Sequence, residues 1–373
     1  MGLRERLTTA AVRRIAVLVV EVPGWGRTRC AAEEQLRRRG WRPALTPADA
    51  DVLLVCGVPG TRLAAAVDLA WDQLPGPRAR AEVLDPAGIA AVLDRVVAAL
   101  SDDAAQRADA ASRPGEPAMG IEAGADPAED DAADDGDHED VDHGDTEDGD
   151  DDSGDDDGDD SGDMDHGDMD MPMPAGIPLA GGGDARDGLE MDVLHVPLGP
   201  VLPAWPAGLV LHCTVQGDVV QEARAEVLPP DPAAEPDGDL VPGSPADRCD
   251  RAAGILALTG WADAAAAAAR LRDDLLGPGD PGACRPALQR LTRRVRRSRT
   301  LRWTLPGELR GRLLTLLDDA VAALTGTTTP IALLPLDDLA PLVTGQELGA
   351  VRLRVAAAEL APGTLVRSGA GLS

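Results

Sequence analysis

Residues 15–22 read IAVLVVEV and residues 51–56 read DVLLVC, and these two short apolar runs decide the fold of the first hundred residues. Both are rich in branched aliphatic residues, and each predicts a strand that is buried on both faces. A third strand is predicted at about 80–84. Helical patterns come between and after the strands, at 28–40, 61–74 and 88–100. This alternation predicts a small parallel, flavodoxin-like α/β domain over residues 1–100.

The middle of the chain has a different composition. Residues 101–187 consist mainly of Asp, Gly, Ala, Ser and Pro, and the stretch 125–170 contains 25 acidic residues and no arginine. The whole chain has a formal charge of −30, so removing these 25 charges leaves only −5 for the rest. Such a stretch has too little apolar surface to offset the entropy of ordering. We therefore expect 101–187 to be a disordered acidic linker.

The second half of the chain begins with strand-like patterns and continues with helical ones. Residues 191–200 and 208–228 predict antiparallel strands, with a turn at Gln216-Gly217-Asp218. Four helices are predicted after them, at 247–276, 284–299, 308–324 and 337–360. The expected fold of residues 188–373 is α+β and mostly helical.

The composition excludes several kinds of chemistry. The chain has no Phe, Tyr, Lys or Asn, so it can form no lysine Schiff base and has no phenolic acid. Its cysteines are dispersed and odd in number, which favours reduced thiols in a cytoplasmic protein: Cys30, Cys56, Cys213, Cys249 and Cys284. The apolar run 15–22 is too short to cross a bilayer. We expect no direct membrane span, so any contact with a membrane would come through partners.

Three segments of the first half carry a resemblance to a known family. Residues 46–57 read TPADADVLLVCG, and residues 71–78 read WDQLPGPR. They resemble, in the same order and separation, the S-P-R-x-A-D-V-L-I-V-x-G and Y-D-Q-M-P-E-P-K segments of the small iron–sulfur subunit of complex I (NADH:quinone oxidoreductase) and related NiFe hydrogenases. Residues 29–33, RCAAE, stand where that family has C-C-x-I-E. The resemblance implies a [4Fe–4S] cluster held by four cysteines.

The second half is similar to the large, quinone-site subunit of the same complexes. Residues 199–203, GPVLP, followed by 208–211, GLVL, resemble G-P-x-H-P and the H-G-V-L-R-L strand of that subunit. Residues 216–220, QGDVV, resemble its D-G-E-x-V turn. The resemblance implies a fusion of two subunits that are separate or paired chains in the family.

The family's ligand positions are largely missing. Cys30 is the one retained cluster-ligand position, because Arg29 replaces the first cysteine of the pair and no cysteine follows Arg78 in the first half. Cys56 is not a replacement, since it lies inside a predicted buried strand where the family usually has Ala. The quinone-pocket histidine of G-P-x-H-P is Leu202, and the second histidine falls in residues 205–207. The family's tyrosine cannot exist in a chain without Tyr. We therefore expect no bound cofactor.

The expected function is that of a non-catalytic or vestigial subunit of a complex-I-like or membrane-hydrogenase-like respiratory assembly. Its partners would be the membrane subunits of that assembly, and its place would be the cytoplasm or the inner face of the cell membrane. An alternative is an electron-transferring subunit whose missing cluster ligands come from a partner chain. A further alternative is a metal-binding protein, since thioether and imidazole groups suit Cu(I). That ligand set lies in residues 162–174, GDMDHGDMDMPMP, and consists of Met164, His166, Met169, Met171 and Met173.

One basic cluster lies in the second half. It consists of Arg290, Arg293, Arg294, Arg296, Arg297, Arg299 and Arg302. Nucleic-acid binding is one interpretation, but Trp303 is the single aromatic residue near the cluster, so a solvated helix face or a docking surface is preferred. His195 and His212 lack a catalytic partner at motif spacing and are expected to pack or form hydrogen bonds. Residues 57–61 are expected to form a tight strand-to-helix turn, and Glu33 to be a carboxylate on a helix surface.

Overall fold

The first sheet has four parallel strands and helices on both faces. The computed structural model describes residues 15–113, 181–183, 191–327, 330–331 and 333–360. The strand order is β2–β1–β3–β4, with β1 (Ala16–Glu21), β2 (Arg42–Pro43), β3 (Val52–Cys56) and β4 (Ala79–Val83). The expected small parallel sheet is confirmed, and β2 is an additional edge strand of two exposed residues.

The alternating side chains of the central strands explain the two helical layers. Val17 and Leu54 face one layer, and Leu18 and Leu53 face the other. The first layer contains α1 (Gly26–Arg39) and α3 (Ile89–Ser101), and the second contains α2 (Thr61–Asp72). Because both faces are covered, β3 and the first five residues of β1 are entirely apolar.

A short helix, α4 (Asp103–Ser112), extends the first half. The expectation that the linker begins at residue 101 is therefore wrong for these residues. The helix has no buried residue of its own, and polar contacts hold it in place. The Arg78 guanidinium lies 3.0 Å from the Asp109 carboxylate and stacks at 4.1 Å on the Trp71 ring, and the Gln106 side chain accepts a hydrogen bond from the Arg78 backbone N–H.

The second sheet is antiparallel and is covered by helices on one face. Its order follows the chain: β5 (Gly181–Gly183), β6 (Met191–Leu198), β7 (Leu209–Gln216) and β8 (Val219–Val227). The predicted turn at 216–218 is present, with Gly217 at a φ of 62°. Strand β5 lies within residues 101–187, near their carboxyl-terminal end.

Seven helices follow the second sheet among the described residues, so the second half is mostly helical as expected. They are α5 (Pro245–Leu258), α6 (Ala262–Leu276), α7 (Arg285–Arg297), α8 (Arg299–Thr304), α9 (Gly307–Ala323), α10 (Leu339–Val343) and α11 (Leu348–Ala357). The predicted helices 247–276 and 337–360 are each wrong as single elements. Gly260 and Gly345 have φ values of 77° and 75° at the breaks, a left-handed conformation that ends a helix.

Both halves belong to one compact unit, because the described residues up to 112 and those after 180 are grouped together by their contacts. Val210 and Leu228 of the second half pack in the same apolar cluster as Val20 and Trp25 of the first. Among the described residues, no helix combines the length and the apolar character needed to cross a bilayer.

Candidate functional site

The carboxyl-terminal edge of the parallel sheet is the place where open α/β sheets bind ligands. In this chain the segment 229–239, from the second half, lies across that edge. The Asp231 N–H donates to the Val58 carbonyl at 3.0 Å, and the Gly238 N–H donates to the Gly24 carbonyl at 2.9 Å. The loops after β3 and β1 are therefore joined by backbone hydrogen bonds to the chain's own second half.

The start of α1 is covered by the same segment. Backbone N–H groups at a helix N-terminus form an anion site. Here the Asp239 carboxylate accepts from the Gly26 N–H at 3.0 Å, and the Asp237 carboxylate accepts from the Thr28 hydroxyl at 2.7 Å. Two carboxylates of the chain itself thus accept hydrogen bonds from the first turn of α1, one from a backbone N–H and one from a hydroxyl.

Two glycines in the turn after β3 lie close to neighbouring groups, and Gly60 is the one that meets segment 229–239. Gly57 has a φ of 107°, and a Cβ placed there would lie 2.4 Å from the ring of Trp25, which is almost completely buried. Gly60, just before α2, would place a Cβ 2.7 Å from the Pro229 carbonyl oxygen. The expected tight turn at 57–61 therefore also serves as the docking point of segment 229–239.

Beside the covered edge, charged side chains from both halves form one network, which we call the junction cluster. Its members are Glu21, Arg29, Glu33, Arg37, Asp250, Arg272 and Asp273. Residues 29, 33 and 37 lie four apart on α1, so their side chains share one face of that helix. Asp250 comes from α5, and Arg272 and Asp273 come from α6.

Arg29 and Arg272 are the centres of the junction cluster. The Arg29 guanidinium donates to both carboxylate oxygens of Asp250, at 3.1 and 2.6 Å, and to Glu21 at 2.6 Å. The side chain of Arg272 is 1% exposed, and its Nη1 lies 2.6 Å from both Glu33 and Asp250. A bidentate arginine–carboxylate pair adds a fixed geometry to the attraction between opposite charges. The cluster therefore fixes how α1 is oriented against α5 and α6.

The junction cluster has four carboxylates and three guanidinium groups, so one negative charge is in excess. Arg29 and Arg272 lower the pKa values of Glu33 and Asp250, although burial acts in the opposite direction. Burial, with smaller contributions from Asp239 and Asp250, raises the pKa of Glu21 to about 7 in spite of Arg29. Glu21 is consequently the carboxyl group that carries a proton in weakly acidic solution.

Cys30 lies next to the junction cluster and does not fit an iron–sulfur cluster. Its side chain is 1% exposed, and burial raises the pKa of the thiol to about 12. Cluster ligation needs thiolates, four of them in the family, and the neighbouring ligand position carries Arg29 in a salt bridge. Among the described residues no group of three or more His, Cys, Asp or Glu side chains is arranged to hold a metal ion.

The positions that resemble the quinone pocket have packing roles. Trp205 is buried, and its indole N–H donates to the Leu209 carbonyl at 2.8 Å. Gly199 has a φ of 87°, and a Cβ there would lie 2.3 Å from that same carbonyl oxygen. Leu202 is partly buried against the core between the second sheet, α10 and α11. These residues shape the start of β7, and the one polar side-chain group among them, the Trp205 indole N–H, is already bonded to the Leu209 carbonyl.

The remaining sequence candidates lie apart from this site. Met164, His166, Met169, Met171 and Met173 lie outside the described residues. His195 and His212 form hydrogen bonds as expected, to Thr214 at 3.2 Å and to Glu226 at 2.7 Å. The basic cluster 290–302 lies on the exposed sides of α7 and α8.

Sequence alone does not indicate most of the junction cluster. Glu33 lies on the helix surface as expected, with its side chain 29% exposed, but it also contacts Arg29 and Arg272. One signal was available: residues 29, 33 and 37 alternate in sign at four-residue spacing. That pattern is also typical of an exposed helix face, and the partners lie more than 200 residues away.

A groove with a volume of about 540 Å³ opens beside the covered edge. Arg27 and Asp239 border it near the start of α1, and it extends between α6 and the segment before α5. Two large apolar side chains stand open to solvent there: Val241 is 71% exposed and Leu276 is 41% exposed.

No family model matches the chain, and neither do curated proteins or solved structures.

Proposed function

We propose that the chain is a cofactor-free docking subunit of a complex-I-like or membrane-hydrogenase-like respiratory assembly, in which small-subunit-like and large-subunit-like halves are fused. The observation that carries this proposal is the position of Arg29. The motif resemblance puts Arg29 at a cluster-ligand position, and the side chain there binds Asp250 of the other half. A contact between halves takes the place of a redox centre.

Two further features support the proposal. The strand order β2–β1–β3–β4 agrees with the first four strands of a flavodoxin-like sheet, which is the fold that the resemblance implies. The two motifs with the strongest resemblance have structural roles in this chain. Residues 52–56 form the fully buried central strand, and Arg78 of the second motif fastens α4.

The alternative of an electron-transferring subunit requires a partner to supply three cysteines next to Cys30. The geometry does not favour it, because Cys30 is covered by the junction cluster and its thiol is protonated at neutral pH. The exposed apolar residues of the groove, Val241 and Leu276, instead favour contact with partner proteins. In this proposal the membrane subunits are the partners, and they would hold the chain at the inner face of the cell membrane.

The proposal is tested by assembly of the complex in the source cell. We expect deletion of the gene to reduce the amount of assembled quinone reductase or hydrogenase in membranes, measured by native electrophoresis. The wild-type chain and Cys30→Ala should both restore the complex, because the thiol binds no cluster. Arg29→Ala should restore it poorly, because the two halves lose their central contact.

Arg38→Ala is the matched control, since Arg38 lies on the same helix but is 64% exposed and should restore assembly fully. Unchanged assembly after deletion would disprove the docking role. Failure of Cys30→Ala, together with about four iron atoms per chain in anaerobically purified protein, would instead support electron transfer.

A further inference from the structure

The exposed sides of α7 and α8 form a strongly basic surface, which we call the arginine–tryptophan face. Residues 285–307 contain eight arginines and no acidic residue. On α7 the buried side chains are Leu288, Leu291, Thr292 and Val295, which turns the arginines toward solvent. The face comprises Arg290, Arg293, Arg297, Arg299, Arg302 and Trp303.

These arginines are not neutralised by neighbouring carboxylates. At the borders of the face, Arg296 is paired with Asp318 at 2.6 Å, and Arg294 stacks at 4.9 Å on the Trp261 ring. The five arginines of the face itself have no carboxylate partner in the described part of the chain. Unpaired arginines at this density raise the local positive potential and attract an anionic partner.

Trp303 gives the face a second, different property. Its side chain is 85% exposed, more than any other large apolar residue of the described ranges. Leu301 of the same helix is buried, so α8 is anchored in the core and Trp303 is held outward. An exposed tryptophan beside arginines is the combination found where proteins meet the headgroup region of a bilayer.

A groove next to the face is suited to phosphate groups. It lies between α6 and α7, has a volume of about 320 Å³, and is lined by Arg270, Arg290 and Arg294 with one acidic residue, Asp274. A guanidinium group can donate two parallel hydrogen bonds to one phosphate, and it stays charged at all physiological pH values. Phosphodiester headgroups therefore match the groove as well as the surface around it.

We infer that the arginine–tryptophan face binds directly to the surface of a bilayer containing anionic phospholipids. The arginines attract the headgroups, and the Trp303 ring enters the interface between headgroups and acyl chains. Single-stranded nucleic acid would need several aromatic side chains for stacking bases, and this face has one. An acidic protein surface would use the arginines but would leave Trp303 without a role. This inference goes beyond the proposed function, because the contact needs no partner protein.

The expected binding is reversible and salt-dependent. Each arginine close to an anionic membrane strengthens partitioning by about fivefold at moderate ionic strength. The net charge of −30 opposes binding at long range, but charges farther than about 10 Å from the membrane are largely screened at 0.1 M salt. Local charge therefore decides the contact.

The test is co-sedimentation of the full chain with phosphatidylcholine vesicles containing either no phosphatidylglycerol or about 30%. We expect binding to the anionic vesicles alone, weakened by 0.5 M salt. The variant Arg290→Gln/Arg293→Gln/Arg297→Gln should bind at least tenfold more weakly. Vesicles with brominated acyl chains should quench tryptophan fluorescence in the wild type, and Trp303→Leu should abolish most of that quenching.

The matched control is Arg38→Gln/Arg95→Gln/Arg107→Gln, which removes three exposed arginines from the first half. Its binding should equal that of the wild type, and the circular dichroism spectra of all variants should agree. Absence of vesicle binding in the wild type, or equal loss in both triple variants, would overturn the inference. Binding of duplex DNA or an acidic peptide, without vesicle binding but with the same arginine dependence, would assign the face to another partner and overturn it too.

Discussion

The guanidinium of Arg29 binds the carboxylate of Asp250 through two hydrogen bonds, although 221 residues separate them in the chain. Arg29 belongs to the first helix of the parallel α/β half, and Asp250 belongs to the first helix of the α-helical bundle. Glu21 and Glu33 accept from the same guanidinium. One side chain thus links three carboxylates from both halves of the molecule.

Loss of Arg29 should be severely destabilising. Arg29→Ala leaves Glu21, Glu33 and Asp250 partly buried with one guanidinium fewer, and removing one partner of a buried ion pair costs about 3–5 kcal/mol. We expect a decrease of that size in the free energy of unfolding, measured with urea at pH 7.5. In an Arg29→Ala/Asp250→Ala double-mutant cycle, the two effects should be clearly less than additive.

Arg38→Ala is the comparison for this measurement, because Arg38 makes an exposed salt bridge with Glu34 on the same helix. Its cost should remain below about 1 kcal/mol. Equal effects of Arg29→Ala and Arg38→Ala would contradict the view that the junction cluster holds the halves together.

Glu21 should make stability depend on pH in a narrow window. Burial raises its pKa from 4.5 to about 7, so its contribution to stability is complete below pH 4.5 and is lost as the pH rises through 7. Glu33 and Asp250 have lowered pKa values, so their contributions are lost only as the solution becomes more acidic. We expect Glu21→Gln to be more stable than the wild type at pH 8, by about 2 kcal/mol, and nearly equal to it at pH 5.

The measurement is urea unfolding of both proteins at half-unit steps between pH 5 and pH 8. Glu34→Gln makes the same chemical change on α1 outside the junction cluster and serves as the control. If the free energies of unfolding of Glu21→Gln and the wild type changed in parallel over the whole pH range, Glu21 would not be the group that titrates between pH 5 and pH 8.

Gly60 tests the contact between the sheet edge and segment 229–239. Its φ of −68° suits alanine, so the backbone would not be strained, but the added Cβ would lie 2.7 Å from the Pro229 carbonyl oxygen. We expect Gly60→Ala to lower the free energy of unfolding by about 1–3 kcal/mol through overpacking.

Gly311→Ala is the matched control for Gly60→Ala. Gly311 lies inside α9, and a Cβ there would meet no atom within 4 Å, so we expect a gain of about 0.5–1 kcal/mol. Thermal unfolding followed by circular dichroism should show a lower melting temperature for Gly60→Ala and a higher one for Gly311→Ala. If Gly60→Ala raised the melting temperature, segment 229–239 would not be in close contact with this turn.

The thiols should be unreactive in the native protein. All five cysteines are buried, and burial raises the pKa of Cys30 and Cys249 to about 12 and that of Cys213 to about 11. We expect a disulfide reagent at pH 8 to modify the folded protein at least 100-fold more slowly than the urea-unfolded protein, which should yield five thiols. Thr300→Cys, at an exposed position on α8, should add one thiol that reacts at once. Rapid modification of Cys30 in the wild type would show that the junction opens easily.

The sequence predicts the first sheet well because its central strands are short, continuous apolar runs rich in branched aliphatic residues. It misses β2, since Arg42 and Pro43 are exposed and two residues cannot show a pattern. It also misses α4, because that helix has no apolar stripe and depends on Arg78 for its contacts. These elements are determined by tertiary contacts, which local propensity does not contain.

The candidate site is harder to predict than the fold. Arg29 is notable in the sequence alone, since it stands beside Cys30 where the resembling family has two cysteines. Its role depends on Asp250 and Arg272, and a distant carboxylate in one sequence cannot be distinguished from a solvated one. Charged residues at helical spacing have the same pattern whether they face water or a buried partner.

The covered sheet edge has a consequence for how the two halves depend on each other. The hydrogen bond from Thr28 to Asp237, the backbone bridge between Pro59 and Pro230, and the salt bridge from Arg29 to Asp250 all join residues before 113 to residues after 190. The molecule is therefore built like an obligate heterodimer whose two subunits are translated as one polypeptide. After cleavage at a protease site inserted near residue 150, the two fragments should elute together from gel filtration in one-to-one stoichiometry, because these contacts hold them without a peptide link.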